Sequence, residues 1–472
     1  VAVYTLRQPD SLSTEYVMTL IFGFSMLIRI LSITTILFNF MSLELNAWEG
    51  HFMLTYAALA QMPELAHKSL ITSESLSSFL ESEKSALGPL LKNYESWAQQ
   101  NIQAYPALPP DLYFDAPQNP GTTLTQKFLY SIRVNPNLVF SNFVLYSPHT
   151  PHRIKNNFSA EEKLQAPISS LFAWRPSDPV VEKVLDKQQL TVEEILASGS
   201  EEPDHGLDFG LFADNESTYG KRMGFGEQPF GNPVVSFSSQ APFHMGFYFE
   251  KPLLYWVVGW LKRCYPEYRI SLFLTLAEHA FKTHHDYWGY RFLGWALHYI
   301  QDLTQPYHAT LVPGASWLKL IGLNSLELLG FKTPAQNVRQ LLTNRHLALE
   351  NYQLESTINL SSNDALKKAL QDNNLDKKYP DFTFNYTRNI VAKEAHERAT
   401  TTDNLLQRAL PHVYVSDPTY IFPSAEAGLN LRELAFKKDP KEAQKLELDF
   451  LALMKSFGAH TRNALKSLLP KP

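Results

Sequence analysis

Residues 294–310 read GWALHYIQDLTQPYHAT, and this stretch decides how the chain is read. His298 and Asp302 are four positions apart, so on a helix they project from one face, one turn apart. Apolar residues recur with helical spacing from Trp288 to Leu303, which predicts that helix. Pro306 has no backbone N–H to continue it, so it ends the helix and can turn His308 back towards the same space. The pattern is H-x3-D-x5-H. Imidazole and carboxylate both suit zinc, and a buried carboxylate can bridge two metal ions.

Outward from this segment the pairing recurs. NRHLALENYQ, residues 344–353, sets His346 and Glu350 four apart on another predicted helix. Upstream, EEPDHGLDFG (201–210) offers Asp204 and Asp208, and SSQAPFHMGF (238–247) offers His244. A single His/carboxylate pair reads as a salt-bridged helix surface. Two pairs beside further His and Asp candidates, one flanking Q-P-x-H, read as a metal centre.

The rest of the chain is read as mostly helical. Helices are expected over 49–65, 73–101, 251–264, 269–283, 288–303, 335–355, 387–410 and 441–469. Thr191 with Glu194 before an apolar pair is a capping box. Two irregular regions intervene: one carries Pro106, Pro109, Pro110, Pro117 and Pro120, and the other runs from Gly199 to Phe243. A short strand or two is expected within 134–146. These features predict one all-α domain over 48–472, with a long, partly irregular insertion at about 100–243.

Composition sets the outer limits. The 472 residues carry 42 Lys plus Arg against 47 Asp plus Glu, a formal net charge of -5. That mild acidity argues against a stable nucleic-acid partner. Hydrophobic residues make up 44% and charged residues 19%, which excludes an intrinsically disordered chain. Cys264 is the one cysteine, so an intrachain disulfide and a thiolate zinc finger are both excluded. Metal chemistry must then come from the 15 histidines and from carboxylates.

From Met26 the chain reads MLIRILSITTILFNFMSLELNA: Arg29, an apolar run from Ile30 to Met41, then a polar stretch ending in Ala47. These are the three regions of a secretory signal peptide, with cleavage expected after Ala47. Residues 1–47 therefore read as an upstream extension and signal peptide, and the mature protein as secreted or periplasmic. A membrane anchor over 18–41 would place Arg29 inside the bilayer, at a cost.

The stretch LAEHAFKTHHDYWGYRFLGWALHYIQDLTQPYHA resembles the signature of the zinc-dependent phospholipase C and single-strand nuclease superfamily. That family's LxxxLHYxxDxxQPxH is matched by Leu293, Leu297, His298, Tyr299, Asp302, Gln305, Pro306 and His308, and its following H-x3-E pair by His346 and Glu350. Its first ligand is a mature amino-terminal Trp, binding through its free amine and carbonyl. Cleavage after Ala47 would make Trp48 that residue, with His51 close behind. The resemblance implies an all-α fold and three zinc ions. Trp48, His51 and Asp302 would hold one, and Asp204, His244, His298 and Asp302 a second, with Asp302 bridging. His308, His346 and Glu350 would hold the third. Asp204 would also be the catalytic base, with Asp208 as the alternative for both roles.

The implied activity is hydrolysis of a phosphodiester by zinc-activated water. Phospholipase C is favoured by Thr304, where the nucleases usually carry His, and by resemblance of residues 223–250 to longer bacterial phospholipases C. The alternatives are a single-strand zinc nuclease and an inactive, zinc-stabilised secreted binding protein. A monomer acting on phospholipid at a membrane or micelle surface is expected. Plainer roles are expected elsewhere: a surface position for His284 and His285, structural hydrogen bonds for His279, His396 and His412, and packing for Cys264. Phe243, Phe247 and Tyr248 read mainly as core, with a lipid-facing mouth as the alternative. The basic carboxy-terminal helix, with Lys441, Lys445, Lys455, Arg462 and Lys466, reads as a solvated face.

Overall fold

Helices dominate, and capping residues set where several of them begin. The computed structural model describes residues 48–469, apart from 61, 67–68, 118–119, 147–152, 173–179, 359, 361–363 and 423–428. The expected signal peptide, residues 1–47, lies outside the described residues. Helix α1 (His51–Leu59) leads into α2 (Leu76–Asn101), where the Ser75 hydroxyl accepts from the Ser78 N–H at 3.2 Å. Helix α3 (Leu124–Ser131) and helix α4 (Val192–Glu201) each open on a capping box. The second is the expected one: the Thr191 hydroxyl accepts from Glu194 N–H at 3.2 Å, and the Glu194 carboxylate accepts from Thr191 N–H at 2.7 Å.

The next elements carry most of the candidate ligands. They are α5 (Ala241–His244), α6 (Pro252–Val257), α7 (Pro266–Lys282), α8 (Asp286–Asp302) and α9 (Pro306–Ala309). Then come α10 (Trp317–Leu328), α11 (Thr333–Ile358), α12 (Lys393–Ala409) and α13 (Pro440–Leu468). Two small antiparallel ribbons complete the frame. In one, β1 (Ile71–Thr72) pairs with β4 (Gln189–Leu190), Ile71 opposite Leu190. In the other, β2 (Phe143–Tyr146) pairs with β3 (Val180–Lys183), Phe143 opposite Lys183. The strand expected within 134–146 thus forms over its last four residues.

One close helix contact fixes the centre. Helices α4 and α8 meet at Gly199 and Gly294, where a β-carbon on Gly294 would stand 2.9 Å from the Gly199 α-carbon. Only glycine at both positions lets the backbones approach this far. Just beyond, Glu202 accepts from Arg291 Nε at 2.9 Å and from Trp295 Nε1 at 2.6 Å, all three buried. This holds the 3-10 turn Glu202–His205 against α8, and Gly206 leaves it with φ of 109°, a left-handed conformation that suits glycine.

The expected insertion is packed into the main core. Leu138, Leu211 and Phe212 belong to the same buried apolar cluster as Trp288 and Trp295 of α8 and Leu465 of α13. Irregular backbone there is built from short turns, such as Gly220–Met223 and Ser238–Gln240.

Several boundaries differ from expectation, for local reasons. The helix expected over 49–65 stops at Leu59 and resumes as the short turn Pro63–Ala66, because Pro63 cannot supply an N–H. The helix expected over 251–264 divides into α6 and the 3-10 turn Gly259–Lys262, with the break at Gly259. That expected over 387–410 starts with a π-helical turn, Thr387–Ala392. Helix α10 and the helices Asp364–Gln371 and Leu431–Lys438 were not anticipated.

Two of the plainer readings change, for His285 and Arg462, while the core reading of Phe243 holds. His285 is half-buried and paired, with Nδ1 2.8 Å from Glu74 and Nε2 3.3 Å from Glu83, whereas His284 is exposed. Arg462 is buried, donating from Nε and Nη2 to Asp376, both at 2.9 Å, so α13 is not solvated along its whole basic face. Phe243 is fully buried beside Phe212, Phe225 and Tyr265, and Tyr248 lies under the Arg388 guanidinium. Cys264 is buried as expected, and burial pushes its thiol up to about 12.

Candidate metal centre

The ligand candidates reach one another from six elements. His51 opens α1, Asp204 sits in the turn after α4, and His244 ends α5. His298 and Asp302 lie one turn apart on α8, His308 is on α9, and His346 and Glu350 are one turn apart on α11. All eight are buried. They fall into three groups whose donor atoms lie within 4.8 Å of one another: His51, His298 and Asp302; Asp204, His244 and His298; and His308, His346 and Glu350.

Outward hydrogen bonds orient the imidazoles. His51 Nδ1 is 2.8 Å from Gln301 Oε1, His298 Nδ1 is 2.8 Å from the Ser200 carbonyl, and His308 Nδ1 is 3.2 Å from the His244 carbonyl. Those oxygens only accept, so each Nδ1 carries its proton and each Nε2 turns a lone pair inward. In His244 the ring is reversed: Nε2 is 3.5 Å from Asp208 Oδ2, and Nδ1 faces the centre. Four of the five imidazoles thus have an acceptor behind them, the outer arrangement usual at a metal site.

The inward atoms crowd together. Asp302 Oδ1 is 3.2 Å from His51 Nε2, and Asp302 Oδ2 is 2.7 Å from His244 Nδ1 and 3.3 Å from His298 Nε2. Asp204 Oδ1 is 3.6 Å from His298 Nε2 and 3.8 Å from His244 Nδ1. In the third group, His346 Nε2 is 3.1 Å from His308 Nε2 and 2.8 Å from Glu350 Oε1. Lone pairs facing lone pairs repel unless a proton or a cation lies between them.

The electrostatics agree with that demand. Burial alone would lower His51 and His244, but hydrogen bonds and attraction from Asp302, and from Asp208 for His244, outweigh it. They hold His51 at about 9 and His244 at about 10. Burial would raise Asp302, yet His298 and its other imidazole neighbours keep it well below the usual carboxylate range. Asp204 is raised, chiefly by burial. In the third group burial lowers His308 to about 4 and raises Glu350 well above its ordinary value, so that group resists charge when it has no cation. Beyond the contacts just given, Asp302 Oδ1, His51 Nε2 and both Glu350 oxygens are buried with no further hydrogen-bond partner. This donor set of imidazole and carboxylate fits metal ions.

Asp204 and Asp208 separate clearly. Asp208 Oδ1 accepts from Arg269 Nε at 2.8 Å and Oδ2 accepts from the Tyr299 hydroxyl at 2.6 Å, so the carboxylate is committed outside the groups. Burial would raise it, but Arg269 brings it below its ordinary value. Asp204 faces inward, with Gln240 Nε2 donating to it at 3.3 Å.

Trp48 is fully buried, and its indole N–H donates to the Thr304 hydroxyl at 2.9 Å. Gln301, Ser200, Gln240 and Arg269 also support the ligands and carry no signal in the sequence pattern, whereas Tyr299, which donates to Asp208, belongs to the motif matched above. Phe247 lines a narrow apolar slit with His346, so of the three aromatic residues considered for a mouth it reaches the site. No protein-family model, curated protein or solved structure matches the chain.

Proposed function

We propose that this protein is a zinc-dependent phosphodiesterase, and specifically a phospholipase C releasing diacylglycerol and a phosphorylated headgroup. The observation that carries the reading is the meeting of eight sequence-dispersed residues in three buried imidazole–carboxylate groups. Their order along the chain agrees with the resemblance to the zinc-dependent phospholipase C and single-strand nuclease superfamily. In this reading His51 and Asp302, with the amine and carbonyl of Trp48, hold the first zinc. Asp204, His244, His298 and Asp302 hold the second, and His308, His346 and Glu350 the third.

Zinc bound there would supply Lewis acidity, lowering the pKa of water to about 7 and screening phosphate charge. The residues then divide the remaining work. Asp204, which faces the His244 and His298 nitrogens, orients the attacking water and takes its proton. Asp208 and Ser200 keep His244 and His298 turned inward. In-line attack at phosphorus expels the diacylglycerol oxygen, which takes up a proton as it leaves.

The export reading belongs to the same proposal. Cleavage after Ala47 would release a secreted or periplasmic protein and free the Trp48 amine. A substrate panel on zinc-loaded protein beginning at Trp48 tests the assignment, using phosphatidylcholine, other phospholipids, single-stranded DNA and RNA. Headgroup release from lipid is expected, with little nucleotide release. Efficient cleavage of nucleic acid without lipid hydrolysis would establish the nuclease instead.

A further inference from the structure

Helices α6 and α10 pack against each other and leave large apolar side chains in solvent. Trp256 is 73% exposed, Leu329 just beyond α10 is 71%, and Leu318 and Phe331 are each 63%. Leu253 is exposed beside them. Isolated exposed apolar residues are ordinary, but this many on two neighbouring helices call for a partner. Four exposed lysines flank the same segments: Lys251, Lys262, Lys319 and Lys332. Among the described residues Lys262, Lys319 and Lys332 form no ion pair, whereas Lys251 faces the carboxylate of its neighbour Glu250.

The patch is continuous with the metal centre through a second apolar layer. Leu254 of α6, Leu311 and Phe230 share one buried cluster, against which Leu320 of α10 packs. Phe230, Met245, Phe247, Leu311 and Leu342 line the slit together with His346. The slit is tight, about 40 Å³. Helix α10 in turn packs on α11, which carries Leu342, His346 and Glu350.

We propose that the exposed faces of α6 and α10 are a membrane-docking platform, which enters the headgroup region of an anionic phospholipid bilayer beside the slit at His346. The inference rests on the phospholipase reading for its purpose, though not for its geometry. Tryptophan and leucine on one side of a short helix, with lysines around them, are the composition of an element lying in a membrane interface. Unpaired lysines complement anionic headgroups and lose that attraction as salt rises. A bilayer held here lies beside the slit that Phe247, Leu311 and His346 line.

The test is co-sedimentation of zinc-loaded protein with mixed phosphatidylcholine/phosphatidylglycerol vesicles. Parent protein is expected to bind, and more weakly in high salt. The triple variant Trp256→Ser, Leu329→Ser, Phe331→Ser should lose about tenfold or more in vesicle affinity. Its thermal unfolding and its hydrolysis of a short-chain phospholipid below the micelle concentration should match the parent. Lys319→Glu with Lys332→Glu should weaken binding to the mixed vesicles and remove its salt dependence. Unchanged sedimentation of the triple variant would overturn the proposal. So would a parent that ignores vesicles and instead forms a dimer that the triple variant abolishes. Vesicle binding through these residues without cleavage of any lipid would uphold the platform and refute the phospholipase reading.

Discussion

The Trp48 indole N–H donates to the Thr304 hydroxyl at 2.9 Å, two residues beyond Asp302. The Thr304 hydroxyl donates to the Gln301 carbonyl at 2.6 Å, so its oxygen is left as an acceptor for Trp48. The residue expected to begin the mature chain is thereby anchored at the carboxyl end of α8, beside a proposed bridging carboxylate. Thr304 also occupies the position that the resemblance uses to separate phospholipases from nucleases. Here its size and hydroxyl have a structural task as well, since a larger side chain would displace the indole.

This anchoring gives a prediction about processing. A backbone nitrogen inside a peptide bond is a planar amide with no lone pair to offer a metal. A free α-amine has a pKa of about 7.7–8.0 and gives up its proton readily next to one. Protein carrying one extra residue before Trp48 should therefore bind about one zinc fewer of the expected three and be nearly inactive. His51→Ala should do the same. Elemental analysis and amino-terminal sequencing of active protein check this, and full activity from a chain starting upstream of Trp48 would contradict it.

Asp302 yields the second prediction. Its two oxygens face different groups, Oδ1 towards His51 at 3.2 Å and Oδ2 towards His244 at 2.7 Å. Asp302→Asn replaces one oxygen by a non-ligating NH₂ and should cost more than one zinc per chain. His346→Ala, confined to the third group, should cost one. If both variants lose equal amounts of metal, Asp302 is not a bridge.

How much of this was readable beforehand follows from the range of each interaction. His298, Asp302, His346 and Glu350 were legible because i, i+4 spacing on a helix is a local rule. The Thr191 capping box was legible for the same reason. Asp204 is preferred to Asp208 only through the resemblance, because no local pattern in the sequence separates them. What separates them is Arg269, which lies on α7 and commits Asp208 from a distance in sequence that no local pattern spans. Arg462 reads as solvated from sequence because its partner Asp376 lies in a separate turn. Helix α10 escaped notice because it is apolar around much of its surface, which blurs the one-sided pattern that marks a helix packed on a core.

The division of labour between the two aspartates is the third prediction. Asp208→Asn leaves buried Arg269 without its counter-charge, and breaking such a pair costs about 3–5 kcal/mol of stability. It also weakens the acceptor behind His244, so metal affinity should fall about 10- to 100-fold. Asp204→Asn should act differently. Burial already raises the Asp204 carboxyl, so the metal-free variant should be at least as stable as the parent, while zinc-supported turnover is lost. Urea unfolding of metal-free protein, set beside zinc titration, separates the two. Equal destabilisation by both substitutions would remove the distinction drawn here.

A last prediction concerns acid and lies away from the ligands. Glu394 of α12 is 3.3 Å from His460 Nε2, accepts from the Tyr379 hydroxyl at 2.7 Å, and also accepts from Ser456. Burial would raise its carboxyl, but the His460 hydrogen bond and charge, then Ser456 and Tyr379, bring it down to about 2. An unfolded glutamate titrates at about 4.3. A carboxyl lowered on folding stabilises the protein above the unfolded pKa, and that contribution is lost as pH falls through the folded one. The contribution should therefore be whole above about pH 5 and fade towards about pH 2. Glu394→Gln removes it at every pH. The gap in unfolding free energy between parent and variant should then be constant near neutrality and close progressively in acid. Acid also strips metal from the centre, but it does so in both proteins, so taking the difference isolates Glu394. Urea titrations of the two proteins across this range measure the gap. A gap that stays constant down to the lowest pH would show that His460 and Tyr379 do not hold Glu394 in its charged form.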